Sequence, residues 1–336
     1  MNLNGTEILP GQKKVLDLDI ASLPSGTHIH LKIHVFRAKE PGPTLLLIGG
    51  LHGDEINGIE IVGRSLRKRM FNHLLRGTVI AIPLLNVYGF INFSREFPSG
   101  KDVNRSFPGK KSGSLASRIA RTVTNVVLPH VDFAIDFHTG GAGIYNYPQS
   151  RVYGKDKRSL DLAEMFAMPY TVKTSLIPRS LRQTGYSKMI PMVVFEGGES
   201  LRMDDFPIRE GMRGIKRAMG ALKMIEDKYD RRTPVIFEAS TWQRAEKSGI
   251  FTPRKESGDR IKKGDILGEI IDPNNSFIST VRAKYSGTIY GHNNSPVVSA
   301  GDALFHIGYT MAEHNKIVET KKRRSKGKKR SERRTP

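Results

Sequence analysis

An α/β fold with a largely parallel or mixed sheet is what this sequence predicts, followed by a small all-β region. Three observations carry that prediction. Short apolar runs alternate with helix-period segments up to about residue 226. Several of the runs end in glycine-rich turns, as in TLLLIGG and DFAIDFHTGG. From about residue 231 the helix-period segments stop, and only short strand-like runs broken by Gly and Pro remain.

The elements follow in order. Residues 1–43 form an opening segment with one or two strands. Within it THIHLKIHVFRA (27–38) alternates polar and apolar residues, as a half-buried strand does. PGPTLLLIGG (41–50) reads as a buried strand. INGIEIVGRSLRKRMFNHLL (56–75) places Ile59, Val62, Leu66 and Met70 at helical spacing, with Gly77 as its stop. TVIAIPLLN (78–86) is the next buried strand. SLASRIARTVTNVVLPHV (114–131) is a helix ending before Pro129. DFAIDFHTGG (132–141) and MIPMVVFEGG (189–198) are two more strands, and 202–226 contains a helix.

The later region pairs turns with short strands: GIFTPRKESGDRIKKGDILGEII, VRAKYSGTIYG and PVVSAGDALFHIG. Its turn-and-strand unit resembles the barrel-sandwich hybrid of biotinyl and lipoyl carrier domains. Neither a Met-Lys-Met nor an Asp-Lys-Ala acceptor hairpin is present, so it reads as a structural β domain and not as a carrier. The expected partition is a catalytic domain at 1–230, a β-rich domain at 231–310 and a basic, disordered tail at 311–336.

The chain has 336 residues, 38% hydrophobic and 26% charged, which suits one large or two ordinary globular domains. It has no cysteine, which excludes disulfides and thiolate zinc sites, so any metal must use His, Asp or Glu. No run of 18 apolar residues predicts a membrane span, and no secretory signal is legible at the N-terminus. A cytoplasmic protein is therefore expected. The net charge is +21. The last sixteen residues, KKRRSKGKKRSERRTP, carry ten Lys/Arg and one Glu. Such a tail gives sequence-independent phosphate affinity, so residues 321–334 are a candidate contact for RNA or an acidic partner. The alternative is a solubilising tail with no dedicated partner.

Chemistry-bearing residues collect at strand ends. His52 and Glu55, in GGLHGDEINGIE (49–60), sit where a strand hands over to a helix, and ligands bind outside the carboxyl ends of strands in open α/β sheets. The plain alternative is a surface His and a Glu at a helix start, favoured there by the macrodipole. His138 ends DFAIDF at another strand end; alone it would be an ordinary buried histidine. Together the three supply the two-His, one-carboxylate set of open catalytic zinc sites. Calcium or magnesium would take more oxygens. Glu196, in VVFEGGE, follows an apolar run and suits a general base and acid; Glu199 competes, three residues further on. The alternative for Glu196 is pairing with an Arg. Arg95 and Arg105 lie in a Gly- and Pro-flanked loop, 91–109, and can grip a carboxylate or an oxyanion; Asn104 can orient one. A nucleotide loop is excluded, because no Gly-Lys-Ser/Thr and no G-x-G-x-x-G opens the helix.

GLHGDEING (50–58), DVNRSFPG (102–109), DFHTG (136–140) and FEGG (195–198) occur in an order that resembles the succinylglutamate desuccinylase/aspartoacylase family, a branch of the zinc carboxypeptidase-like fold. The resemblance spans about residues 40–310. It implies a mixed sheet flanked by helices, one Zn2+ per chain held by His52, Glu55 and His138, and Glu196 acting through the zinc water. It further implies that Arg105 and Asn104 contact substrate, that Arg105 polarises the carbonyl, and that Asp102 supports a ligand histidine. Arg95 matches an upstream substrate arginine. The expected reaction is hydrolysis of the amide of a small N-acyl amino acid or related compound. The alternatives are a metallocarboxypeptidase trimming a peptide or polyglutamate tail, and a nucleic-acid or ribosome-associated protein acting through the tail. The C-terminal β domain is expected to restrict the cleft, with Tyr285 and Tyr290 as its candidate aromatics. An oligomer is compatible with all of this. The chain matches neither named enzyme closely outside the motifs, so the acyl group and the amine stay open.

Overall fold

The computed structural model describes residues 1–22, 25–97, 99–226, 228, 232–274 and 276–320. The chain divides into two compact units, Met1–Pro234 and Val235–Pro336.

The first unit opens with a small antiparallel pair, β1 (Asn2–Leu3) and β2 (Thr6–Glu7). Its main sheet contains β3 (Lys13–Ser22), β4 (His28–Arg37), β5 (Glu40–Gly49), β6 (Arg76–Ile82), β7 (Phe133–Gly140), β8 (Ile144–Tyr153), β9 (Tyr170–Thr174) and β10 (Met192–Glu199). From one side the order is β9, β8, β10, β7, β5, β6, β4, β3. The four central strands, β10, β7, β5 and β6, run parallel. Strands β4 and β3 extend the sheet antiparallel on one side, and β8 is antiparallel to β10 on the other. The sheet is therefore mixed, with a parallel centre.

Burial on both faces explains the apolar runs. In β5, Leu45 and Leu47 face one core with α1 (Ile56–Arg67), α4 (Lys157–Phe166) and α6 (Asp205–Ala221). Leu46 and Ile48 face the other, with α3 (Leu115–Thr122) and the first residue of α5 (Leu181–Ser187). All four residues are at most 1% exposed, and each contributes about 1.5–3 kcal/mol of burial. A short α2 (Val87–Ile91) follows β6.

Several boundaries differ from the sequence expectation for local reasons. The helix expected over 56–75 ends at Arg67. Met70 N donates to Ser65 O and Arg69 N to Leu66 O, a Schellman closure with Arg69 in the left-handed region (φ 53°). A backbone capping motif built without glycine leaves no compositional trace. Residues 114–131 are α-helical only to Thr122; a π turn (Val123–Val127) and a 3-10 turn (Leu128–His130) containing Pro129 complete the segment. The helix within 202–226 is α6, capped by Asp204, whose side chain accepts from Phe206 N. Strands β8 and β9 and helices α4 and α5 had no assignment.

The second unit begins four residues beyond the expected boundary at 231, a residue outside those described. Its strands are β11 (Val235–Phe237), β12 (Ala239–Arg244), β13 (Gly249–Pro253), β14 (Arg260–Ile261), β15 (Ile266–Ile271), β16 (Ile278–Arg282), β17 (Gly287–Asn293), β18 (Val297–Val298) and β19 (Ala303–Tyr309). Strands β12, β19, β17 and β14 pair antiparallel, as do β16, β15, β13 and β18. Phe251, Leu267, Ile289 and Phe305 from both sets share one core. Tyr290, in β17, is buried, its hydroxyl 2.7 Å from His306 Nε2. The expectation of disorder from 311 is corrected for 311–320, which are helical. Thr310 and Glu313 cap the helix reciprocally, and Ile317 joins the core. Residues 321–336, including the expected RNA or acidic contact at 321–334, lie outside the described residues. Among the described residues, no helix is long and apolar enough to cross a membrane.

Candidate active site

Three parallel strands deliver the expected residues to one end of the sheet. His52 and Glu55 follow β5, His138 lies near the end of β7, and Glu196 lies in β10. Register aligns them: Gly49 pairs with Phe137, and Glu196 pairs with His138.

The loop after β5 is shaped by close backbone approach. A Cβ on Gly53 would sit 2.0 Å from Gly89 C and 2.1 Å from Phe90 N, so only glycine lets the loop pass α2. Glu55 occupies the cap position of α1 but makes no side-chain cap bond. Its carboxylate turns to the histidines instead. Asn57 stitches α1 to the end of β10, donating to Gly197 O at 3.2 Å and accepting from Asp204 N at 2.9 Å.

His52, Glu55 and His138 are each at most 3% exposed, and one ligand atom of each lies within 4.8 Å of the others. Glu55 Oε1 is 2.8 Å from His52 Nδ1, and Oε2 is 2.7 Å from His138 Nδ1. The two Nδ1 atoms are 3.1 Å apart. Each far nitrogen faces a carboxylate. His138 Nε2 is 2.8 Å from Asp136 Oδ2, a hydrogen bond; His52 Nε2 is 3.4 Å from Asp102 Oδ1, an electrostatic contact at most. Protons held at Nε2 leave both Nδ1 lone pairs facing each other and the Glu55 oxygens. Such a set is stable only around a shared positive charge, which protons or a metal ion can supply. The residues present therefore fit a zinc ion.

The electrostatics agree. Burial alone would lower the two imidazoles, but Glu55 and Asp102 raise His52, and Asp136 and Glu55 raise His138 well above the ordinary histidine value. Burial alone would raise Glu55, yet both histidines hold it far below the usual carboxylate range. Burial likewise opposes ionisation of Asp102, and His52 and Arg95 hold it low.

The other expected residues divide. Arg95 is braced by Asp102, with Nη2 3.0 Å from Oδ2, and its Nη1 lies 3.1 Å from His52 Nδ1 and 3.4 Å from Glu55 Oε1. It is thus placed against the triad. Buried Asn86 fixes its backbone, donating to Arg95 O at 3.2 Å. Asp102 also caps the 3-10 turn Val103–Arg105, accepting from Asn104 N at 2.6 Å. Asn104 Oδ1 accepts from Leu181 N at 3.0 Å and so ties this loop to α5. Arg105 is half-exposed, with Nη1 3.9 Å from Asp102 Oδ2. Glu196 has both oxygens engaged: Oε1 is 3.1 Å from Arg151 Nη1, and Oε2 accepts from Asn146 Nδ2 at 2.9 Å. Pairing with an arginine, the plainer reading of Glu196, is thus present in the structure.

Sequence reasoning missed Asp136, Asn57, Asn86, Asn146 and Arg151. Asp136 was detectable, since strand period two puts it on the same face as His138. Asn86 carries a local signal as the N-cap of α2, accepting from Gly89 N at 2.8 Å; nothing local marks Asn57, Asn146 or Arg151, whose partners lie far off in the chain.

The profile of the succinylglutamate desuccinylase/aspartoacylase catalytic domain matches residues 41–222, more than half of the chain. A curated relative, the N-alpha-acetyl-L-2,4-diaminobutyric acid deacetylase of Halomonas elongata, is 28% identical over 282 residues, covering 78% of this chain and 81% of its own. Among solved structures, the succinylglutamate desuccinylase/aspartoacylase from Rhodobacter sphaeroides superposes with TM-score 0.77 at 24% identity, covering 89% of this chain and 96% of that one. The product-bound ectoine utilization protein EutE (DoeB) from Ruegeria pomeroyi gives TM-score 0.77 at 21% identity, covering 89% and 95%.

Proposed function

The chain belongs to the succinylglutamate desuccinylase/aspartoacylase family, and from that premise we propose that it is a zinc-dependent deacylase. It hydrolyses the amide bond of a small N-acyl amino acid or related compound. The observation that carries this reading is the convergence of three buried ligand atoms with a carboxylate behind each imidazole. The Halomonas relative, a deacetylase of a small N-acetylated amino acid, supports a small-molecule substrate over a peptide tail. The zinc carboxypeptidase-like description of the fold belongs to the same reading.

His52, Glu55 and His138 would hold one Zn2+, three protein ligands leaving a position for water. Bound there, the ion would supply Lewis acidity toward a water and a substrate carbonyl. Glu196, paired in register with His138, takes the proton of the attacking water and returns it to the amine nitrogen as the C–N bond breaks. Asn146 and Arg151 hold its carboxylate in place. Arg105, half-exposed and held by its own turn through Nη1 to Asn104 O at 2.8 Å, stabilises the developing oxyanion or grips a substrate carboxylate, with Asn104 beside it. Arg95 offsets the charge of Glu55 and Asp102 and reaches substrate only through that position.

The test is metal analysis of the purified full-length chain, followed by a screen of N-acyl amino acids. About one zinc per chain is expected. Glu196→Gln should retain the metal and lose about a thousandfold or more in kcat, in line with general acid–base contributions. Near-native turnover in that variant removes Glu196 from the mechanism.

A further inference from the structure

We propose that Arg182 and Gln149, beside Arg151, form an anion subsite that receives a carboxylate of the substrate on the β8 side of Glu196. The proposal deepens the deacylase reading and rests on it only for the molecule that carries the carboxylate.

Buried polar groups are almost always paired, and those left over ask for a reason. Gln149 is fully buried, and neither its Oε1 nor its Nε2 has a partner among the described residues. It is the register partner of Glu196 across β10 and β8, so the two side chains share a face of the sheet. Asn146, which holds Glu196 Oε2 through Nδ2, has a buried, unpartnered Oδ1. Arg151 faces the same way, opposite Val194, and is paired with Glu196.

Arg182 completes the group from α5. It is only 8% exposed; Nη2 donates to Ser175 O at 2.8 Å, while Nη1 is buried without a partner. The charges that act on it are those of Arg151, Glu196 and Asp136. Arg151 is already neutralised by Glu196, and Asp136 is committed to His138. Arg182 is thus a buried guanidinium with no carboxylate of its own among the described residues. Burial first, and Arg151 second, push its pKa down to about 10. A buried cation of this kind is destabilising unless an anion meets it, and its forked N–H groups suit a carboxylate. The unpaired amide of Gln149 offers a further donor, and its free oxygen rejects a second anion.

The experiment is calorimetric titration of the full-length chain with succinate and acetate, which stand for acyl products, and with L-glutamate, which stands for the amine half. The variants are Arg182→Gln, Arg182→Lys and Gln149→Leu. Gln149 makes no side-chain bond, so its replacement leaves the fold's hydrogen bonds intact. Succinate or glutamate should bind the wild type. Arg182→Gln should weaken that ligand roughly ten- to a hundredfold, the range of a charge-assisted hydrogen bond, and acetate far less. Arg182→Lys should recover part of the loss, and Gln149→Leu should show a smaller one. Which of the two ligands responds assigns the carboxylate to the acyl or the amine half. Failure of both to bind, or equal binding by wild type and both Arg182→Gln and Gln149→Leu, overturns the proposal. If no N-acyl compound is turned over, the deacylase reading falls, while the titrations still decide the subsite.

Discussion

Replacing Asp136 by Asn tests the metal centre through a residue that never touches the metal. The carboxylate is 1% exposed and accepts from His138 Nε2 at 2.8 Å. Asn keeps the shape and an acceptor oxygen but removes the charge that keeps the proton on Nε2 and the lone pair on Nδ1. Outer carboxylates behind ligand histidines are worth about ten- to a hundredfold in metal affinity. That is roughly 1.4–2.7 kcal/mol. It agrees with the roughly 1.5–3 kcal/mol of a hydrogen bond to a charged group. The buried contact, unscreened by water, argues for the upper end of the range. Zinc affinity is read by competition with a chromophoric chelator, with circular dichroism as the fold control. An unchanged affinity in a folded variant would show that Nδ1 of His138 is not a ligand, and would sink the tautomer argument with it.

The remaining expectations concern the same scaffold. Gly53→Ala puts a methyl 2.0 Å from backbone atoms of α2, so it should cost about 1–3 kcal/mol in urea unfolding and weaken zinc binding as the loop shifts. Wild-type stability and metal content in that variant would contradict the close approach. Zinc affinity should fall as pH falls, about tenfold per unit for each proton displaced, because His52 and His138 hold protons above the ordinary histidine value. A pH-independent affinity between 5 and 8 would count against histidine ligation. Glu210 is almost fully buried and paired with Arg213 at 2.8 Å and Arg232 at 3.1 Å. Burial opposes its ionisation, but the arginines hold it below the ordinary 4.5. Its stabilisation is therefore present above about pH 4.5 and fades as pH falls through the lowered value. Glu210→Gln should destabilise at pH 7 and converge on wild type in acid; a constant gap would refute the linkage.

The sheet centre was legible because β5, β6, β7 and β10 are buried on both faces, and such strands read as plain apolar runs. The triad was legible because strand ends are punctuated by glycine. The stretch 144–187 was not. Strand β8 carries Asn, Gln, Ser and Arg at buried or half-buried positions, so its hydropathy hides it. Asn146, Gln149 and Arg151 are there because β8 lines the polar side of Glu196, a requirement set by a strand some fifty residues away; Ser150 lies on the other face, opposite Phe195. The end of α1 was invisible for a different reason: Arg69 adopts the left-handed conformation that composition assigns to glycine.

The pairing of Glu196 with His138 across two parallel strands has one more consequence. Side chains in a strand alternate faces, so the sheet works as a ruler with a two-residue division. Inserting a single residue within β10 ahead of Glu196 would turn the carboxylate toward the helix layer that holds Phe137 and Phe195, and would present an apolar side chain to the histidines. Inserting two would restore the face but shift the carboxylate by a full division along the strand. The loops beyond the strand ends carry no such graduation. An engineer seeking a new substrate range has almost no freedom of length in the strands, nor in the loop after β5, which carries His52 and Glu55 and packs Gly53 against α2.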